Sequence, residues 1–199
     1  MHSWPRRSRS PPPRSRGLEV VGLVDGTSLV EFRSENTRVR DSDKITGLDG
    51  DTSLVGIDHR VQDGELYGVG NSGGIYRIDA DEAEATKIAT LTIPLNGTHF
   101  GVDLNPAANA LRVISDTGQN LRQPFATSPL VATVADTPLT NPATPPAQAP
   151  GALGVTGAAY TNNDLDTTTG TTLFDIIRQT GGAAGLTEPV GQRAAEDRA

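Results

Sequence analysis

LVGIDHRVQDGELYGVGNSGGIYRI (residues 54–78) and HFGVDLNPAANALRVISDTGQNLRQ (residues 99–123) align without a gap at an offset of 45 residues. Five positions are identical: Gly56 with Gly101, Asp58 with Asp103, Leu66 with Leu111, Gly73 with Gly118 and Arg77 with Arg122. Conservative pairs surround them, among them Ile57 with Val102, Val69 with Ile114 and Asn71 with Asp116. Self-similarity at a fixed spacing of this size marks a chain that stacks one supersecondary unit, because each unit buries its apolar face only against the next.

Each copy reads as strand, turn, strand, turn, strand. Residues 54–60 form a first strand, and Asp63-Gly64 supplies the left-handed positions of a tight turn. Residues 65–70 form a second strand, residues 71–74 reverse the chain, and residues 74–79 form a third. Residues 87–92 (KIATLT) follow an acidic connection as a fourth strand. Four antiparallel strands in about 45 residues is the arithmetic of a β-propeller blade.

Parts of further copies flank this pair. Upstream, LVDGTSLVEF (residues 23–32) matches the second turn and third strand, with Leu29, Val30 and Phe32 where Ile75, Tyr76 and Ile78 stand. Downstream, GAAYTNN (157–163) and TLFDI (172–176) match the first and second strands, with Leu173 and Phe174 on Leu66 and Tyr67. Residues 17–180 therefore hold about three and a half blades, fewer than the four to eight that typically close a ring. An open arc exposes strand edges, which predicts edge-to-edge self-association.

Composition agrees with an all-β chain. The 199 residues hold 22 Gly and 14 Pro, the residues that turn a chain most tightly, and 35% of them are hydrophobic, enough for one modest core. The ends read differently. Residues 1–16 are rich in Arg, Pro and Ser, lack an apolar run that could act as a signal-peptide core, and read as a disordered tail. Residues 181–199 read as a polar tail, disordered or helical. Residues 138–151 carry five prolines, which forbid a helix or a central strand and make this stretch a loop.

Charge and residue inventory exclude several functions. A net charge of −7 opposes binding to nucleic acid, and the absence of cysteine removes disulfides, thiol nucleophiles and thiolate metal sites. No apolar run is long enough to span a membrane. The sequence has no phosphate-binding glycine loop and no Gly-x-Ser-x-Gly elbow. Asp116-Thr117-Gly118 repeats the tripeptide of aspartic proteases, but the matching stretch one repeat earlier is Asn71-Ser72-Gly73, so it reads as a turn.

The candidate ligand-binding residues are those that recur. Asp58 and Asp103 stand at matching positions and can line a channel or, more simply, close a turn or bind a neighbouring backbone. Arg77 and Arg122 recur with them and offer either structural ion pairs or a bidentate carboxylate clamp. Asn162, Asn163, Asp164 and Asp166 cluster oxygens that Ca²⁺ would accept, without the spacing of an EF-hand; no other cofactor is expected. His59 and His99 fall at unmatched positions, too few for a zinc site without carboxylates.

GLVDGTSLVEF, TSLVGIDHRVQDGELYGVG, GTHFGVDLNPAANALRVISDTGQNLR and GAAYTNN together resemble the bacterial DUF4394 family, with VDLNPAANALRVISDTGQNLR the most specific part. The resemblance covers about residues 17–176. It implies a propeller-like fold and an exported, extracellular protein, and it implies no activity. The stretch after residue 176 departs from the family's pattern, which implies a truncated member or one with altered ends. Two functions follow as expectations: a non-enzymatic extracellular module binding a protein or glycan, and a propeller hydrolase or lyase using channel-facing Asp residues. The 4% aromatic content weighs against a glycan, whose faces stack on Trp and Tyr.

Overall fold

A computed structural model of the chain describes residues 17–140, 151–166 and 168–178, together with the backbone of 190–192. The expected tail over 1–16, most of the proline-rich loop (141–150) and most of the C-terminal tail (179–189 and 193–199) lie outside the described residues. The described residues form β-strands and turns with no helix, in four antiparallel sheets.

The first sheet is β1 (Glu19–Val24), β2 (Ser28–Arg33) and β3 (Asn36–Lys44), in that order. The second is β4 (Leu54–His59), β5 (Leu66–Gly70), β6 (Gly74–Asp79) and β7 (Glu84–Thr90). The third is β8 (Phe100–Asn105), β9 (Ala110–Ser115), β10 (Asn120–Pro124) and β11 (Val134–Ala135). The fourth is β12 (Val155–Tyr160), β13 (Leu173–Ile177) and β14 (Val190–Gln192). Every sheet is a meander, with sequence-consecutive strands paired antiparallel.

The repeat is thus one sheet long, and its register is kept. Leu66 pairs with Ile78 and Val69 with Ile75 in the second sheet, as Leu111 pairs with Gln123 and Ile114 with Asn120 in the third. The turn after β5 closes by Gly73 N–H donating to Gly70 O, and the turn after β9 by Gly118 N–H donating to Ser115 O, at 2.9 and 3.1 Å. Both glycines have φ near 90°, which side chains with a Cβ rarely adopt, so their identity in the two repeats is conformational.

Three strands differ from the sequence expectation. The fourth strand of the second sheet begins at Glu84, not Lys87, because Ala83 O and Ala85 N–H bond to Thr46 and anchor its start; Leu91 leaves the ladder to donate to Gly73 O. β3, whose sequence NTRVRDSDK shows no apolar alternation, pairs with β2 as a fully exposed outer strand. Val190–Gln192 of the expected tail adds a short strand to β13.

Apolar cores lie between consecutive sheets. Leu29 and Ile45 pack with Leu54, Leu66, Tyr76 and Ile78 between the first and second. Tyr67, Val69 and Ile75 pack with Val102, Leu104, Leu111, Val113 and Leu121 between the second and third. Ile114 packs with Val155 and Leu173 between the third and fourth. Because alternate side chains point to opposite faces of a strand, Tyr67 and Val69 serve one core and Leu66 the other, and β5 is buried throughout. The Tyr67 and Phe125 rings meet edge to face at 5.2 Å.

Candidate functional site

The first strands of the second, third and fourth sheets lie side by side, and glycine sets their spacing. A Cβ on Gly56 would stand 2.6 Å from the Cβ of Val102, and one on Gly101 would stand 2.6 Å from the amide nitrogen of Ala158. Only a residue without a side chain permits that approach. Two positions along each strand stands the repeated aspartate. Asp58 Oδ2 accepts from the Leu104 amide of the next sheet at 2.7 Å, and Asp103 Oδ2 accepts from the Tyr160 amide of the sheet after at 2.6 Å. Glycine for approach and aspartate for a hydrogen bond form one clasp, used twice.

The two carboxyl groups also interact with each other. Burial pushes Asp103 up to about 8, the neighbouring Asp58 carboxylate pushes the same way, and the Tyr160 amide opposes both. Burial raises Asp58 as well, against the Leu104 amide, the Asp103 carboxyl and His59. At neutral pH Asp103 keeps its proton, since two adjacent buried carboxylates cannot both ionise cheaply. Chemically the pair can donate and accept a proton, or act as a fixed acceptor for two backbone amides.

Beyond this pair, β9 carries Arg112. Its Nη1 donates to Asp136 Oδ2 at 2.6 Å and to Asn120 Oδ1 at 2.7 Å, and its Nε donates to the Tyr160 hydroxyl at 3.1 Å. Asp136 also accepts from Arg122 Nε at 3.0 Å and Nη2 at 3.2 Å, so one carboxylate brackets two guanidinium groups and is held below the usual carboxylate range by them, against its own burial. Asp175 on β13 is buried with one oxygen lacking a hydrogen-bond partner, and burial lifts it to about 6 against the charge of Arg112. Its signal in the sequence is an acid inside the apolar run LFDII. Arg112 had no such signal, because its repeat counterpart is Tyr67.

The second sheet holds a further buried carboxylate, Asp51. It accepts from the Ser72 amide and from the Tyr76 hydroxyl at 2.7 Å, and it fills the space that side chains at Gly70 and Gly74 would need. Burial and Asp51 push the fully buried Tyr76 hydroxyl up to about 12.

The structure brings Asp58 and Asp103 together but leaves the repeated arginines apart from them. Arg77 is exposed on β6, and Arg122 is spent on Asp136. In the loop after β12, Asp164 Oδ1 accepts from the Asp166 amide and the Thr169 hydroxyl at 2.8 Å each, Asp166 Oδ1 binds Thr168, and Asn162 donates to Gly170 O. These oxygens close turns, and Asn163 is an exposed neighbour. Among the described residues no three His, Asp or Glu side chains converge as a metal site.

Asp116 of the protease-like tripeptide accepts from Thr98 and His99, which hold it well below the usual carboxylate range, and the tripeptide is a turn. A cleft of about 220 Å³ between the first and second sheets is lined by Leu29, Glu31, Asp41, Asp43, Ala80 and Asp81, away from the carboxyl pair. No helix of the described chain is long and apolar enough to cross a membrane.

These features define an all-β repeat protein whose second, third and fourth antiparallel sheets are clasped along their first strands. Residues 28–187 match the family DUF4394, a domain of unknown function, and the chain belongs to that family. No curated protein matches it.

Proposed function

We propose that the chain is a non-enzymatic, extracellular binding or scaffold module arranged as a partial β-propeller. The observation behind this reading is that Asp58 and Asp103 each spend an oxygen on a backbone amide of the next sheet. Groups committed in this way hold sheets in register, and the surfaces left for a partner are the turns and edges. A protein partner suits the low aromatic content better than a glycan. The propeller arrangement is supported by stacked meanders of three or four strands with a core between each pair.

The test separates acceptor from catalyst. Asn at either position keeps an oxygen for the amide and adds an N–H for the neighbouring carboxyl, whereas Ala removes the acceptor. In urea titrations at pH 7, Asp58→Ala and Asp103→Ala each lose about 1–3 kcal/mol, while the Asn variants match or exceed the parent. The proton held by Asp103 favours one rival reading, a hydrolase with Asp103 as general acid. That rival requires turnover of a chromogenic ester, glycoside or peptide that Asp58→Asn and Asp103→Asn abolish, and such turnover would defeat the scaffold reading.

A further inference from the structure

The first sheet is the second sheet without its first strand. At an offset of 46 residues, EVVGLVDGTSLVEF (19–32) lies on ELYGVGNSGGIYRI (65–78), and the pairing follows: Leu23 with Leu29 as Val69 with Ile75, and Ser28 with Lys44 as Gly74 with Thr90. Thr27 N–H donates to Val24 O as Gly73 N–H donates to Gly70 O, and Ile45 N–H donates to Thr27 O as Leu91 N–H donates to Gly73 O. β1 is therefore the counterpart of β5 and β9. Those strands carry β4 and β8 on the edge that β1 leaves open among the described residues.

We propose that the open edge of β1 receives one extended strand donated by another polypeptide, and that the site reads the pattern apolar-Gly-apolar-Asp. The clasp dictates the pattern. The incoming strand would lie beside β4 as β4 lies beside β8, so Ile57 takes the place of Val102 and demands glycine opposite it. His59 N–H takes the place of Leu104 N–H and calls for a carboxylate acceptor. β1 itself is fit to pair, since EVVGLV carries neither proline nor lysine, the residues that usually guard an edge. Within the chain the pattern occurs at residues 55–58 and 100–103, and both copies already sit in β4 and β8. Both are thereby spent, and a second polypeptide bearing such a segment supplies the strand.

The proposal rests on the binding-module reading and names its partner's chemistry. The probe is a fluorescent peptide of residues 98–106, titrated into the full chain with anisotropy as readout. Saturable binding is expected, with hydrogen-exchange protection gained at residues 20–24. Peptides with valine at the Gly101 position or alanine at the Asp103 position should bind about tenfold more weakly or worse. Absence of saturable binding, or equal binding of the substituted peptides, overturns the proposal. So does a homodimer joined through β1 that excess peptide does not dissociate. If the peptide fails while the Asp58 and Asp103 variants behave as clasps, the edge receptor falls and the scaffold reading stands.

Discussion

The residue that most shapes the chemistry of this chain is Asp103. Folding lifts it to about 8 and Asp175 to about 6, both by burial first, so the folded chain retains protons that the unfolded chain releases from about pH 4 upward. Stability therefore falls as pH rises from about 4 through 8. Asp116 and Asp136 are depressed, and their contribution is lost only as pH falls below about 4. Thermal melts should show a midpoint highest near pH 4–5 and lower at pH 8 by about 5 °C or more. Asp103→Asn should flatten the slope between pH 6 and 8, and Asp175→Asn the slope between pH 4 and 6. A slope unchanged in Asp103→Asn would mean that Asp103 does not keep its proton into this range. The recurrence of Asp58 and Asp103 was legible in the sequence as a structural role, but their meeting was not: it depends on strand spacing between sheets, which periodicity within one sheet does not encode.

At the level of the strand, glycine decides which elements can be neighbours. Gly56 and Gly101 have no room for a Cβ, whereas the Cβ of a residue at the matching position in the fourth sheet, Gly157, would make ordinary contact with Ile176 at 3.5 Å. Gly101→Val should therefore lower the unfolding midpoint sharply, by about 2 kcal/mol or more, while Gly157→Ala costs less than about 1 kcal/mol. Equal losses in urea titrations would show that backbone freedom, not approach, is what the glycines provide. The strands themselves were readable where apolar residues alternate between turns, as in residues 66–79. β3 escaped because it is an outer strand: with every residue exposed and one edge paired to β2, it needs no apolar face. β14 escaped for a related reason, since three residues pairing with β13 carry too little pattern to read.

Across the whole molecule the four sheets are unequal partners. The repeat made the order of sheets and the all-β class legible, but it could not say which sheet would be enclosed, because that depends on how many neighbours each acquires. The second and third sheets each acquire one on each face: Val69, Ile75 and Tyr76 of the second are completely shielded from solvent, and Leu111, Val113, Ile114 and Leu121 of the third are nearly so. The first sheet presents β3 to water along its full length, and the fourth leaves Ile176 69% exposed. Cooperative opening should therefore begin at the flanks and reach the second and third sheets last. In deuterium labelling under native conditions, amides of β5 and β6 should exchange at the rate of complete unfolding, with β3 and β13 exchanging through smaller fluctuations. The two enclosed central sheets would then act as the chain's folding nucleus in reverse, the last assembled region to remain when the protein is pulled, heated or cleaved from its ends.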